Sequence, residues 1–313
     1  MSRLGSFWPR VATAGLTLAA TLLLCFALAQ FTPGDAFTAL ELDPTVPAAA
    51  LAHWRALYLP QENWGLRFAH WVGDAAHGQL GYSIEYHRSV ASLLRQRIPA
   101  SFELIILGLG LAWGAGLLLA LIPAWLGESG RRRFERRLGW VLHALAAVLT
   151  ALPLGVLAIG ALLLAPLAWL PTDAQPSPWL PASVLALAFL PTVYFQAAQA
   201  LAQVRSRPFL LQGRAAGFGP ARLLLRHALP NTSDVLVPVA SLTLTQALVE
   251  LVILEPLLGW PGIGQLSIQA AQSKDLPVLS ALVLLSGLLA ISANILSDAV
   301  QTRLHPQLRA RAA

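Results

Sequence analysis

Long apolar runs alternate with short polar stretches along this chain. Six runs reach the roughly 20 mostly apolar residues that a helix needs to cross a bilayer. They are roughly Val11–Phe31, Ser101–Leu126, Gly139–Leu163, Ala182–Val204, Val235–Leu254 and Val278–Ser297. The pattern predicts an all-α integral membrane protein with six transmembrane helices. Between the first two runs, residues 32–100 are too polar to span. They still carry helical spacings, at Leu51, Trp54, Leu57 and Tyr58, and again at Trp64, Phe68 and Trp71. Aromatics so placed pack against a helix bundle or sit among lipid headgroups; a docking surface for an external partner is the sharper alternative. The stretch "LAPLAWLPTDAQPSPWLP" reads as a Pro- and Trp-rich cap. Trp-Pro-Gly at 260–262 marks a turn, after which "IGQLSIQAAQ" reads as a short re-entrant or interfacial helix.

The first run has a rival reading. Arg3 and Arg10 precede it, and "ALAQ" at 27–30 has the small residues of a signal-peptidase site. The apolar core of a signal peptide is only about 7–15 residues. This run is longer, so a retained helix is expected. Orientation follows from the basic residues, which are enriched in cytoplasmic loops. With the amino terminus inside, Arg131, Arg132, Arg133, Arg136, Arg137, Arg205, Arg207, Arg214, Arg222 and Arg226 all fall on the cytoplasmic side. Far fewer fall outside, although the outer stretch is longer. Both termini are therefore expected in the cytoplasm. The domain plan is a cytoplasmic amino terminus with the first helix (1–31), an extracytoplasmic region (32–100) and a membrane core (101–313) with a cytoplasmic loop at 205–231.

Composition agrees with this picture. The chain has 313 residues, 56% hydrophobic and 12% charged; soluble domains carry about 25% charged residues. The net charge of +6 raises the question of nucleic acid. The basic residues are almost all Arg, cluster beside apolar runs and lack interleaved aromatics, so no nucleic-acid partner is expected. Cys25, the single cysteine, is read as a small apolar core residue. The only lysine is Lys274, in "QSKD", so the chain cannot carry a Walker A phosphate loop. There is no HExxH or GxSxG, and His53, His70, His77 and His87 lack ligand spacing. No catalytic residue, metal site or cofactor of the chain's own is expected. Glu103, Glu250 and Glu255 stand near or within the runs, where charge costs roughly 2.5–3.5 kcal/mol. Each is either a carboxylic acid hydrogen-bonded at a bundle interface or, for Glu250 together with Gln246, part of a solvated translocation path.

One polar segment interrupts the apolar pattern, "GRAAGFGPARLLLRHALPN" at 213–231. Pro208 suits the first turn of a helix, where a missing N–H costs nothing. Gly217 and Gly219 permit a sharp turn, and Pro220 opens a second helix. On that helix Leu223, Leu224 and Ala228 are expected to pack on the bundle. Arg222 and Arg226 share an i,i+4 face pointing away. Gly213 and Gly217 form a GxxxG, but no apolar 20-mer surrounds them, so membrane dimerisation through it is not expected.

Gly217 is followed thirteen residues later by Pro230, with Leu229 before it. This resembles the cytoplasmic signature of ABC importer permeases, the EAA motif, whose glycine and closing Leu-Pro are present. The leading acidic-Ala-Ala positions read Leu211, Gln212 and Gly213, so that part is absent; "QGRAAG" is similar to the version in the peptide/nickel branch. Also similar to that branch are "TPGD" at 32–35, "HGQLGYSIEYHRSVASLLRQRIPASFELIIL", "EPLLGWPGIGQL", "KDLPVLSA" and the tail "LHPQLRAR", with His305 where Asp is usual. The resemblance implies a type I importer permease fold in a bacterial inner membrane. It implies partners: a second homologous permease, two cytoplasmic ATPases that hold ATP and Mg²⁺, and an external solute-binding protein. It implies that Pro208, Arg214, Ala215, Gly217, Gly219, Arg222, Leu229 and Pro230 couple to the ATPase. The binding protein is expected at Trp260, Pro261, Gly262 and Gly264, and the cargo is a peptide, nickel or a related small solute. An ion-gradient-driven secondary transporter is the alternative, with an intramembrane enzyme or scaffold behind it.

Overall fold

The computed structural model describes residues 3–31, 47, 63–164 and 177–304. The spacing at Leu51 to Tyr58, the "TPGD" element, loop residues 165–176 and the tail beyond Leu304 lie outside the described residues. The chain begins with helices α1 (Arg3–Phe31) and α2 (Trp64–Ala76), then a hairpin of β1 (Tyr82–Ser83) and β2 (Arg88–Ser89). Helices α3 (Val90–Glu128), α4 (Arg132–Ala151), α5 (Leu154–Leu164) and α6 (Trp179–Arg205) follow. Next come α7 (Pro208–Ala215), α8 (Pro220–Arg222), a π-helical turn (Leu223–Ala228) and a 3₁₀ turn (Leu229–Thr232). The last helices are α9 (Ser233–Leu257), α10 (Ile263–Gln272) and α11 (Leu276–Leu304).

Among the described residues, four helical stretches are long and apolar enough to cross a bilayer: α3, α6, Pro220–Leu257 and α11. A fifth span would be α4 with α5, which are bent by 99°. This corrects the expectation of one continuous helix over Gly139–Leu163. Pro153 has no N–H to give the ladder and drives its predecessor out of the helical region. Leu152 accordingly sits at φ −87°, ψ 120°. Helix α1 contributes a shorter apolar stretch, Ala12–Leu28.

The chain divides into two compact units. The first holds residues up to Ser101 together with Pro261–Ile291. There the Asn63 side chain caps α2 by accepting from Gly65 N. Phe68 and Trp71 of α2 pack their rings on Phe26 of α1, at 5.3 and 5.7 Å, as the aromatic spacing predicts. The hairpin pairs Tyr82 with Ser89 and is fastened to Asp275. Asp275 has no exposed surface and serves two elements at once. Its Oδ1 accepts from Val278 N, capping α11, and its Oδ2 accepts from Ser83 Oγ at 2.5 Å and Glu85 N at 3.3 Å. Tyr86 donates to Gln269, Arg97 donates to Gln265, and Ser101 Oγ accepts from Ile263 N at 2.8 Å, all holding α10. The expected short helix after Trp-Pro-Gly is this α10.

The second unit, Phe102–Trp260 and the residues from Ser292, is built around α6, which packs against α4, α5 and α9. Val184, Leu185, Val193, Tyr194, Ala197 and Leu201 of α6 are buried. A Cβ at Gly108 would fall 2.7 Å from Leu185, and one at Gly116 2.8 Å from Val193. Glycine there lets α3 approach α6 closely, the usual device of helix packing in membranes. Polar links cross the same unit, Trp113 Nε1 to Thr243 at 3.3 Å and Ser241 to Asn294 at 2.9 Å.

Candidate coupling site

Pro208 opens α7 at its first turn, as its ring favours. The helix ends in a Schellman closure, with Phe218 N bonded to Gly213 O and Gly217 N to Arg214 O. Gly217 supplies the left-handed residue that this closure needs, at φ +76°. Gly219 stays extended, and Pro220 starts the next turn of helix. Gly213 has a separate function. A Cβ there would lie 2.8 Å from Leu223 Cδ2, so glycine lets the second limb fold back on α7.

Leu210, Leu223, Leu224 and Ala228 are buried in one cluster with Ala120, Ala124, Tyr194, Ala197 and Leu201. The segment is thereby seated on α3 and α6. The expected regular helix after Pro220 is instead π-helical over Leu223–Ala228, so the i,i+4 relation of Arg222 and Arg226 does not hold as drawn. Both arginines are nevertheless exposed. The Arg222 guanidinium lies 4.2 Å over the Phe218 ring, and His227 stacks on Phe218. Leu229 is half-buried and Pro230 exposed in the 3₁₀ turn that enters α9. Ala215 is exposed at the end of α7, and Phe209 and Leu211 leave 40% and 52% of their surface open.

An ion-pair cluster ties this segment to three helix ends. Arg214 donates from Nε to Glu128 Oε2 at 2.7 Å and from a terminal nitrogen to Glu128 Oε1 at 2.5 Å. Arg205 donates to the same Glu128 at 2.9 Å and to Glu135 at 2.7 Å. The Glu128 side chain is only 4% exposed. Its hydrogen bonds push the Arg214 guanidinium further above its ordinary range. Glu128 ends α3, Glu135 lies in the first turn of α4, Arg205 ends α6 and Arg214 ends α7. Displacing α7 therefore acts on all three neighbours. Gly127 sits where any side chain would collide with Glu135 and Arg205. Sequence reading missed Glu128, Glu135 and Arg205 as a unit. The available signal was that these two acids, one just before and one within the run Arg131–Arg137, stand alone among its arginines.

The other candidate residues are dispersed. On α9, Gln246 is exposed and Glu250 half-buried, on one face with the exposed Leu242, Val249 and Ile253. Glu255 is fully buried, whereas Glu103 is exposed. Of the expected binding-protein contacts, Trp260, Gly262 and Gly264 are buried and Pro261 alone is exposed. Among the described residues, no His, Cys, Asp and Glu come together as a metal cluster.

Residues 129–310, which include the whole coupling segment, match the family described as the inner membrane component of binding-protein-dependent transport systems. The chain belongs to this family. The permease is 28% identical to a probable peptide ABC transporter permease of Sinorhizobium fredii, over 92% of this chain and 93% of the relative. It is 24% identical to an oligopeptide transport system permease of Bacillus subtilis, over 91% and 93%. The fold is similar to the methionine ABC transporter MetNI in an inward-facing form, with a TM-score of 0.57, 16% identity, and coverage of 68% of this chain and 96% of that one. The permease is a multi-pass inner-membrane subunit of an ATP-driven importer, which sets aside the ion-gradient transporter.

Proposed function

We propose that this permease forms half of a translocation path for peptides, and that α7 is the lever by which a cytoplasmic ATPase drives it. The observation that carries the reading is the bidentate Arg214–Glu128 pair. It makes α7 and the ends of α3, α4 and α6 one mechanical block. Phe209 and Leu211 offer an apolar, solvent-facing surface for an ATPase groove, while Leu210 and Gly213 hold the opposite face to the bundle. Two ATPase subunits closing on ATP and Mg²⁺ would pull this block and rock the helices. A second, homologous permease would cover the open face of α9, with Gln246 and Glu250 toward the path. The binding protein would deliver cargo from outside, onto residues 32–100 and the exposed Pro261. The named relatives favour peptides over nickel or other small solutes.

The test is reconstitution of the permease pair with its ATPases and binding protein in proteoliposomes. ATP-dependent uptake of a labelled peptide is expected. Gly217→Asp with Arg222→Glu should abolish uptake and ATPase association but leave membrane insertion intact. Retention of both by that double variant would remove the lever. Uptake of nickel but not peptide would redirect the cargo assignment alone.

A further inference from the structure

Arg205 and Arg214 have carboxylate partners, whereas among the described residues five other arginines at the head of α4 have none. Arg131, Arg132, Arg133, Arg136 and Arg137 are all exposed, and among the described residues no ion pair reaches them. The one acid in the run, Glu135, is turned away to Arg205. Helical periodicity explains the division. Glu135, Leu142 and Ala146 share the face that packs on α6, while Arg133, Arg136, Arg137 and Trp140 share the opposite one. Trp140 is 74% exposed, directly after the arginines. Exposed Val141, Leu145 and Val148 continue the same surface down the helix. Arg133, Arg136, Arg137, Trp140 and Val141 line a shallow depression of about 640 Å³.

This face changes from cationic to apolar within two turns. Guanidinium groups match phosphate oxygens in a bidentate fork, and Trp settles at the level where headgroups meet acyl chains. An acidic protein surface would satisfy the arginines but would leave Trp140, Val141, Leu145 and Val148 without apolar cover. A nucleic acid would do the same. An anionic lipid supplies both halves, a phosphate for the arginines and acyl chains for the surface below. We propose that the exposed face of α4 binds the headgroup of an anionic phospholipid, with Arg133, Arg136 and Arg137 around its phosphate and Trp140 against its glycerol and upper chains. The uncompensated charge selects anionic over zwitterionic lipid. The site is separate from the Arg214–Glu128 cluster and does not depend on the role given to α7.

The full-length permease in nanodiscs of phosphatidylcholine with a graded fraction of phosphatidylglycerol tests this. Retained phosphatidylglycerol is counted by native mass spectrometry, and Trp quenching by brominated phosphatidylglycerol reports proximity. Each arginine near an anionic surface contributes roughly fivefold in affinity. Arg133→Gln/Arg136→Gln/Arg137→Gln should therefore weaken phosphatidylglycerol retention by about a hundredfold. Trp140→Phe should remove a measurable part of the quench. Arg136→Gln alone, expected to weaken retention about fivefold, keeps the test decisive if the triple variant does not insert. Unchanged retention in the variants overturns the proposal. So does displacement of the lipid by inorganic phosphate, which would make the site one for free anions. Loss of ATPase binding with lipid retention intact would assign the arginines to a protein partner instead.

Discussion

Arg214 offers two N–H groups to the two oxygens of Glu128, at 2.7 and 2.5 Å, across a separation of 86 residues. Only a planar guanidinium makes this fork, so lysine is not an equivalent. Arg214→Lys should lower stability by about 1 kcal/mol, since Glu128 keeps Arg205. Glu128→Gln should cost roughly 2–4 kcal/mol, because it takes the nearly buried carboxylate from Arg214 and leaves Arg205 with Glu135 alone. Unfolding of the detergent-solubilised variants measures both. Equal losses would mean that Glu128 is not the hub.

Gly217 closes α7 in the left-handed region. A Cβ there costs roughly 1–2 kcal/mol, and Asn tolerates the conformation better than Ala. Gly217→Ala should therefore destabilise the coupling segment more than Gly217→Asn, read by thermal unfolding and by co-purification of the ATPase. The reverse order would contradict the closure.

Gly213 and Leu223 are paired by space rather than by chemistry. Gly213→Ala forces Leu223 aside and should cost about 1–3 kcal/mol. In a Leu223→Ala background the same change should cost little, because the obstruction is gone. A double-mutant cycle on unfolding free energy reads the coupling. Simple additivity would show that the two limbs do not touch.

Asp275 holds the hairpin and caps α11 together. Asp275→Ala leaves Ser83 Oγ and Glu85 N without their acceptor, a loss of roughly 1.5–3 kcal/mol per charged hydrogen bond. Amide exchange at Glu85 and Tyr86 should accelerate by about ten- to a hundredfold, measured by hydrogen–deuterium mass spectrometry. Asp275→Asn, which keeps an acceptor oxygen, should fall between. Unaltered exchange would free the hairpin from this anchor.

Much of the site was legible in residue types that act locally. Pro208, Gly217 and Pro220 constrain their own backbone, so their effects need no distant partner. Leu223, Leu224 and Ala228 were readable as the packed face, yet the π-helical turn was not, because its wider coil follows from fitting those residues against α3 and α6. Glu128, Glu135 and Arg205 were overlooked for a similar reason. A carboxylate beside five arginines looks like a member of a solvated run until the end of α6 is placed next to it. The resemblance places the binding protein at Trp260, Gly262 and Gly264, yet all three are buried; a turn motif carries no record of what packs on it.

By itself the sequence determined that this is a helical membrane protein, and where its polar elbow begins and turns. Those properties depend on hydrophobic length and on proline and glycine geometry, which are carried by neighbouring residues. Tertiary structure alone decided that Arg214 grips Glu128, that Ser83 meets Asp275, that Gly213 makes room for Leu223 and that the two helices on either side of Pro153 lie at 99°. Three of these are contacts between positions far apart in the chain or on opposite limbs of a turn. The angle of the break is set by what α4 and α5 each pack against, and no local pattern encodes it.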